Sequence, residues 1–149
     1  MSDSAKVLLV GVTLPKIGGI SLTIDKLKRN QILQDSFQVE VCNPYTSSRN
    51  LRDKILSRFF NYPRNSQQNL ALLKASIKVV KPDLIHFFTS SFSNFWTNSF
   101  LTDYAHRNCI PYLLNMRGGG FIKFFHGCTE KQRRKIVRTL RQADLLLVQ

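Results

Sequence analysis

Short, near-continuous apolar runs punctuated by helical periodicity constrain this chain more than any other feature. Val7–Val10, Leu84–Phe88, Ile110–Leu114 and Leu145–Val148 are four or five residues long, and each is bounded by polar or turn-forming residues. Such runs suit strands covered on both faces, as in a parallel sheet, better than the strict alternation of a half-exposed sheet. The strands expected are Lys6–Gly11, Phe37–Cys42, Leu84–Phe88, Ile110–Asn115 and Asp144–Val148.

Between them lie amphipathic patterns. Ile20, Leu22, Ile24, Leu27, Ile32 and Leu33 form one apolar face. Ser48–Phe60 reads as a basic amphipathic helix stopped by Asn61-Tyr62-Pro63, and further helices are expected at 66–80 and 93–107. Thr129 and Gln132 stand at capping-box spacing, which opens a basic helix running to about Gln142. Strands alternating with helices imply an α/β fold, a doubly wound parallel sheet with helices on both faces. The 149 residues are one domain's worth. A parallel sheet ending on a strand lacks a last covering helix, so a domain cut from a longer protein is expected.

Composition narrows the partners. Lys and Arg number 22 against 9 Asp and Glu, a net charge of +13, so the preferred partner is anionic. Nine Lys/Arg and a single acid, Glu130, lie between Tyr104 and Ala143. No apolar run approaches the roughly 20 residues of a membrane span, and nothing resembles a signal peptide. A cytoplasmic protein is expected, at most peripheral at the inner membrane face. Cys42, Cys109 and Cys128 are odd in number and far apart, as free thiols would be. No zinc-like spacing, P-loop, dinucleotide fingerprint or Ser-His-Asp set occurs. No metal is expected, and no catalytic residue is identified.

Ligands of doubly wound sheets bind beyond the carboxyl ends of the strands. The loops there carry Lys16, Gly18 and Gly19 after the first strand, and Thr89, Ser90 and Ser91 after the third. Arg117, Gly118, Gly119, Gly120, Lys123 and His126 follow the fourth. Bare backbone beside fixed cations suits a phosphate or a sugar. Gly18, Gly19, Ser90, Ser91, Arg117, Gly118, Gly119 and Lys123 are therefore the candidate substrate- or phosphate-binding residues. Arg52, Lys54, Arg58 and Phe59 are candidates for contact with a membrane or an acceptor. His86, inside a strand, reads as a core histidine. The aromatics Phe92, Phe95, Trp96 and Phe100 read as packing.

Several segments occur together in an order that resembles the N-terminal domain of glycosyltransferase family 4. They are Lys6–Val12 with Gly18-Gly19-Ile20, Val41-Cys42, Val80–His86 (VKPDLIH), Ile110–Asn115 (IPYLLN), Arg117–Phe121 (RGGGF) and Arg141–Gln149 (RQADLLLVQ). The resemblance spans nearly the whole chain. It implies the Rossmann-like N-terminal half of a GT-B architecture, in retaining enzymes that take a nucleotide-sugar donor. Gly18 and Gly19 would then lie near donor phosphate and acceptor, and Arg117 would stand where the family has a histidine, as a binding residue. The family's C-terminal donor domain, with its paired glutamates, would come in cis or as a partner chain. The chain alone is expected to bind no cofactor and to be inactive. A sugar or lipid-linked acceptor is the implied partner, with an anionic membrane surface as another. The rival readings are a basic nucleic-acid-binding module, which lacks any recognised motif, and a non-catalytic membrane-docking subunit.

Overall fold

A computed structural model describes residues 4–45 and 62–148, and of residues 62–65 the backbone alone. The expected basic helix at Ser48–Phe60, with Arg52, Lys54, Arg58 and Phe59, lies outside the described residues. Five parallel strands form one sheet in the order β2-β1-β3-β4-β5. They are β1 (Lys6–Val10), β2 (Gln38–Cys42), β3 (Leu84–Thr89), β4 (Tyr112–Met116) and β5 (Leu145–Val148). The strand order reverses at β1, so the chain is doubly wound, and β1 and β3 flank the switch point.

The helices divide between the faces as that topology requires. Helix α1 (Gly19–Lys28) lays Ile20, Ile24 and Leu27 on Leu9, Phe88, Val39 and Val41. On the opposite face, α3 (Tyr62–Val80) and α4 (Ser93–Arg107) cover Leu8, Val10, Ile85, Phe87, Tyr112 and Leu114. A second cluster joins Phe95 and Met116 to Phe124 of α5 (Phe121–His126) and Ile136 of α6 (Glu130–Arg141). Side chains of the central strands are sealed: Leu8, Val10, Ile85, Phe87 and Phe88 have no exposed surface. Gly11 completes the α1 seam, because a Cβ there would stand 2.6 Å from Ile24 Cδ1.

Two aspartates that open strands tie neighbouring strands together. Asp83 accepts the Lys6 backbone N–H at 2.8 Å, and Asp144 accepts that of Tyr112 at 2.8 Å. Each ends the chain's return from a helix and satisfies a donor at the amino edge of the sheet, where the ladder has no partner for it.

Three boundaries and the burial of one aromatic series depart from the sequence reading. The first helical pattern is broken: α1 ends at Lys28, and α2 (Gln31–Ser36) begins again after Asn30, whose side chain accepts the Leu33 N–H at 3.1 Å. Capping outweighs the apolar repeat there, and Ile32 is left 77% exposed. Helix α3 starts at Tyr62, so Pro63 falls in its first turn, where proline is tolerated, rather than stopping the helix before it. The segment after Arg117 is no plain loop, since α5 occupies Phe121–His126. The aromatic series at the start of α4 is divided, with Phe95 buried and Phe92 56% exposed. The capping box of α6 forms as expected, Thr129 N–H donating to Gln132 Oε1 at 2.9 Å.

Candidate functional site

The loops leaving β1, β3 and β4 meet around a cleft of about 510 Å³ at the switch point. Its walls include Lys16, Gly18 and Gly19 from the first loop, Ser90 and Asn94 from the second, and Arg117 and Gly118 from the third. Val12, Ile17 and Ile20 supply an apolar side. Among the described residues two cations and no acid face the cavity, so its chemistry favours an anion.

Bare backbone is the second element. Beyond their immediate chain neighbours, the positions that Cβ atoms would take at Gly18, Gly19, Gly118 and Gly119 have no heavy atom of the described residues within 4 Å. Gly18 has extended backbone, which any residue adopts, so neither packing nor conformation asks for glycine there. Gly118 differs, because its φ of +106° strains any other residue. The Gly18 turn is held by Ser21, whose Oγ accepts the Gly18 N–H at 2.9 Å and donates to the Gly18 carbonyl at 3.0 Å.

A buried polar network beneath the cleft fixes the second loop. Asn94 Oδ1 accepts the Ser90 N–H at 2.8 Å and the Thr89 hydroxyl at 3.1 Å. Asn98, 1% exposed, offers its amide to Thr89 Oγ1 at 3.2 Å and to the Asn94 carbonyl at 3.0 Å. Its Oδ1 accepts the Tyr45 hydroxyl at 2.8 Å, which ties the loop after β2 into the same cluster. Asn43 extends the link by donating to Thr13 Oγ1 at 2.9 Å. Burial, more than any charge, pushes the Tyr45 phenol up, so it stays a donor across the accessible pH range.

His86 lies on the α1 face of β3, one strand from β4. Its ring stacks on Phe88 with centroids 4.1 Å apart, and its Nε2 is 3.4 Å from Asn115 Nδ2. Asn115 is buried, and its Oδ1 has no partner among the described residues. Burial and then the Arg117 charge lower the His86 pKa from 6.5 to about 4, so the ring is neutral at pH 7. The unfolded chain therefore takes up a proton that the folded chain refuses. The His86 contribution to stability is complete above about pH 6.5 and falls away as pH drops toward 4, by about 3 kcal/mol. Thermal melts across that window check it: His86→Gln flattens this part of the slope, and an unchanged slope refutes the assignment.

The cleft brings together Gly18, Gly19, Ser90, Arg117 and Gly118 from the expected set. Ser91 flanks it, its Oγ 3.7 Å from where a Gly120 Cβ would stand. Gly119 is exposed beside Gly118, and Lys123 is exposed on α5 rather than on the cleft wall. His126 ends α5, with its carbonyl accepting from Arg133 at 2.8 Å. The sequence reading missed Asn94, Asn98 and Tyr45. The Asn94–Asn98 spacing of one helical turn, just after a strand, was the available signal. Among the described residues no group of three His, Cys, Asp or Glu could hold a metal, and no helix is long and apolar enough to cross a membrane.

The sequence matches no protein-family model, and no curated protein matches it.

Proposed function

We propose that this chain is the acceptor-binding half of a sugar-nucleotide-dependent retaining glycosyltransferase of GT-B architecture, of the kind that builds cell-surface polysaccharide or glycolipid. The convergence of Lys16, Arg117 and the bare Gly18-Gly19 and Gly118 backbone on one cleft at the switch point carries this reading. A phosphate or sugar hydroxyl can approach that backbone closely, and the cations offset its charge. The resemblance in sequence gives the reaction class. In that reading the donor domain, in cis or as a partner chain, brings the nucleotide sugar against this cleft and sets donor and acceptor in line. Alone, the chain binds acceptor and does not turn over.

Amide NMR tests the assignment. Inorganic phosphate and a hexose phosphate are expected to shift Gly18, Gly19, Ser90 and Gly118, and signals that stay in place with both refute the assignment. Exposed Lys131, Arg134, Lys135, Arg138 and Arg141 along α6 favour a second reading, a nucleic-acid-binding module. Shifts confined to α6 on adding arbitrary duplex DNA, with affinity falling steeply in salt and a silent cleft, would replace the first reading by the second.

A further inference from the structure

Phe92 holds a backbone conformation that side chains rarely accept. Its φ is 62° and its ψ is −133°, a region occupied almost solely by glycine. Such strain persists where something else over-determines it. Packing supplies little of that here. The residue is 56% exposed, and among the described residues its ring has one aromatic neighbour, Phe124, at a centroid separation of 5.3 Å. A buried Phe95 three residues on carries the contacts that hold α4 to α5.

The position of the ring suggests what it is for. Phe92 sits between Ser90 and Asn94, both of which line the cleft. Its edge approaches the three-glycine turn, with Cε2 3.8 Å from where a Gly120 Cβ would stand and Ser91 Oγ 3.7 Å from the same point. Ile122, 71% exposed, is the second residue of the helix beyond that turn. A solvent-facing aromatic ring thus stands with the Ser91 hydroxyl beside the bare Gly120 backbone, two positions in sequence from each of two residues that line the anion cleft. A flat ring with an apolar C–H face and hydroxyls at its rim fits that combination, the face on the aromatic and the hydroxyls on the serines and amides.

We propose that Phe92 is a stacking platform for a pyranose ring, the sugar next to an anionic group seated between Lys16 and Arg117. The inference rests on the acceptor reading above, and it adds the ligand's class, a sugar phosphate rather than a phosphate alone. Phe92 is a specificity residue: it distinguishes a ring from a chain carrying the same charge.

Calorimetric titration of the full 149-residue chain tests this with α-D-glucose 1-phosphate and sn-glycerol 3-phosphate, which share the phosphate and differ in the ring. The unmodified protein is expected to prefer the hexose phosphate by roughly five- to tenfold. Phe92→Leu, which keeps apolar bulk and removes the aromatic face, is expected to erase the preference and leave glycerol phosphate affinity unchanged. Phe92→Gly, free of the strain, is expected to erase it too while melting above the leucine variant. A preference that survives Phe92→Leu, or that is absent from the unmodified protein, overturns the platform. So does a glycine variant that melts below the leucine variant, because the ring is then held for packing. If the unmodified protein binds neither phosphate, the acceptor reading itself fails, and the platform falls with it.

Discussion

Arg117→Ala is expected to weaken binding of inorganic phosphate and of phosphorylated ligands by about 10- to 100-fold while leaving the fold intact. The side chain is half-buried at the mouth of the cleft and makes no ion pair among the described residues. Its backbone N–H bonds to the Thr89 carbonyl at 2.8 Å whatever the side chain, so the β4 loop keeps its course. What is lost is a charge-assisted contact in a partly dry site, worth about 1.5–3 kcal/mol. Lysine restores the charge and loses the planar fork, so Arg117→Lys should recover part of the affinity and not all of it. A readout without ligand accompanies the titration. Arg117 helps depress His86, and its removal should raise the His86 pKa from about 4, as followed by ring-proton NMR. Unchanged phosphate affinity in Arg117→Ala would remove the cleft from consideration as an anion site. An unchanged His86 titration would show that burial alone sets that ring.

How far this was legible in the sequence depended on how local the determining contacts are. The strands were readable because Val7–Val10 and Leu84–Phe88 are buried by the sheet itself, and burial on both faces leaves a near-continuous apolar run. The position of Arg117 on the cleft was readable as well, since the loop after a strand of a doubly wound sheet lies at the edge where such clefts form. The break between α1 and α2 was not. An apolar repeat continued through it, and the Asn30 cap competes locally at a strength the repeat does not reveal. In sequence Lys123 stands with Arg117 after one strand, whereas Phe124 anchors a helical turn in the aromatic cluster and carries Lys123 elsewhere. Tyr45 and Asn98 are 53 positions apart, and a single polar pair leaves no periodic trace. Phe92 looked like its aromatic neighbours, because only the backbone angle and its exposure set it apart.

The same long-range pair carries the largest stability effect. Asn98→Leu is expected to cost about 3–5 kcal/mol, lowering the melting temperature by roughly 6–20 °C for a chain of this size. Asn98 is buried to 1% exposure, and its amide and carbonyl serve β3, α4 and Tyr45 at once. Leucine fills a similar volume, so little of the loss comes from a cavity. It comes from the acceptors left without their donor and from a Tyr45 hydroxyl left without its acceptor. Tyr45→Phe removes the other end and should cost less, about 1–2 kcal/mol, because a single bond is lost. The double variant separates the pair from its surroundings. Once Asn98 is leucine, the phenol has nothing to donate to there, and removing it should cost nothing or restore some stability. Asn98→Leu should also loosen Asn94 and with it the Ser90 amide, so phosphate affinity falls although neither Asn98 nor Tyr45 reaches the cleft wall. Strict additivity of the two changes in thermal melts would mean that they act separately, and the network would then be two contacts that happen to touch.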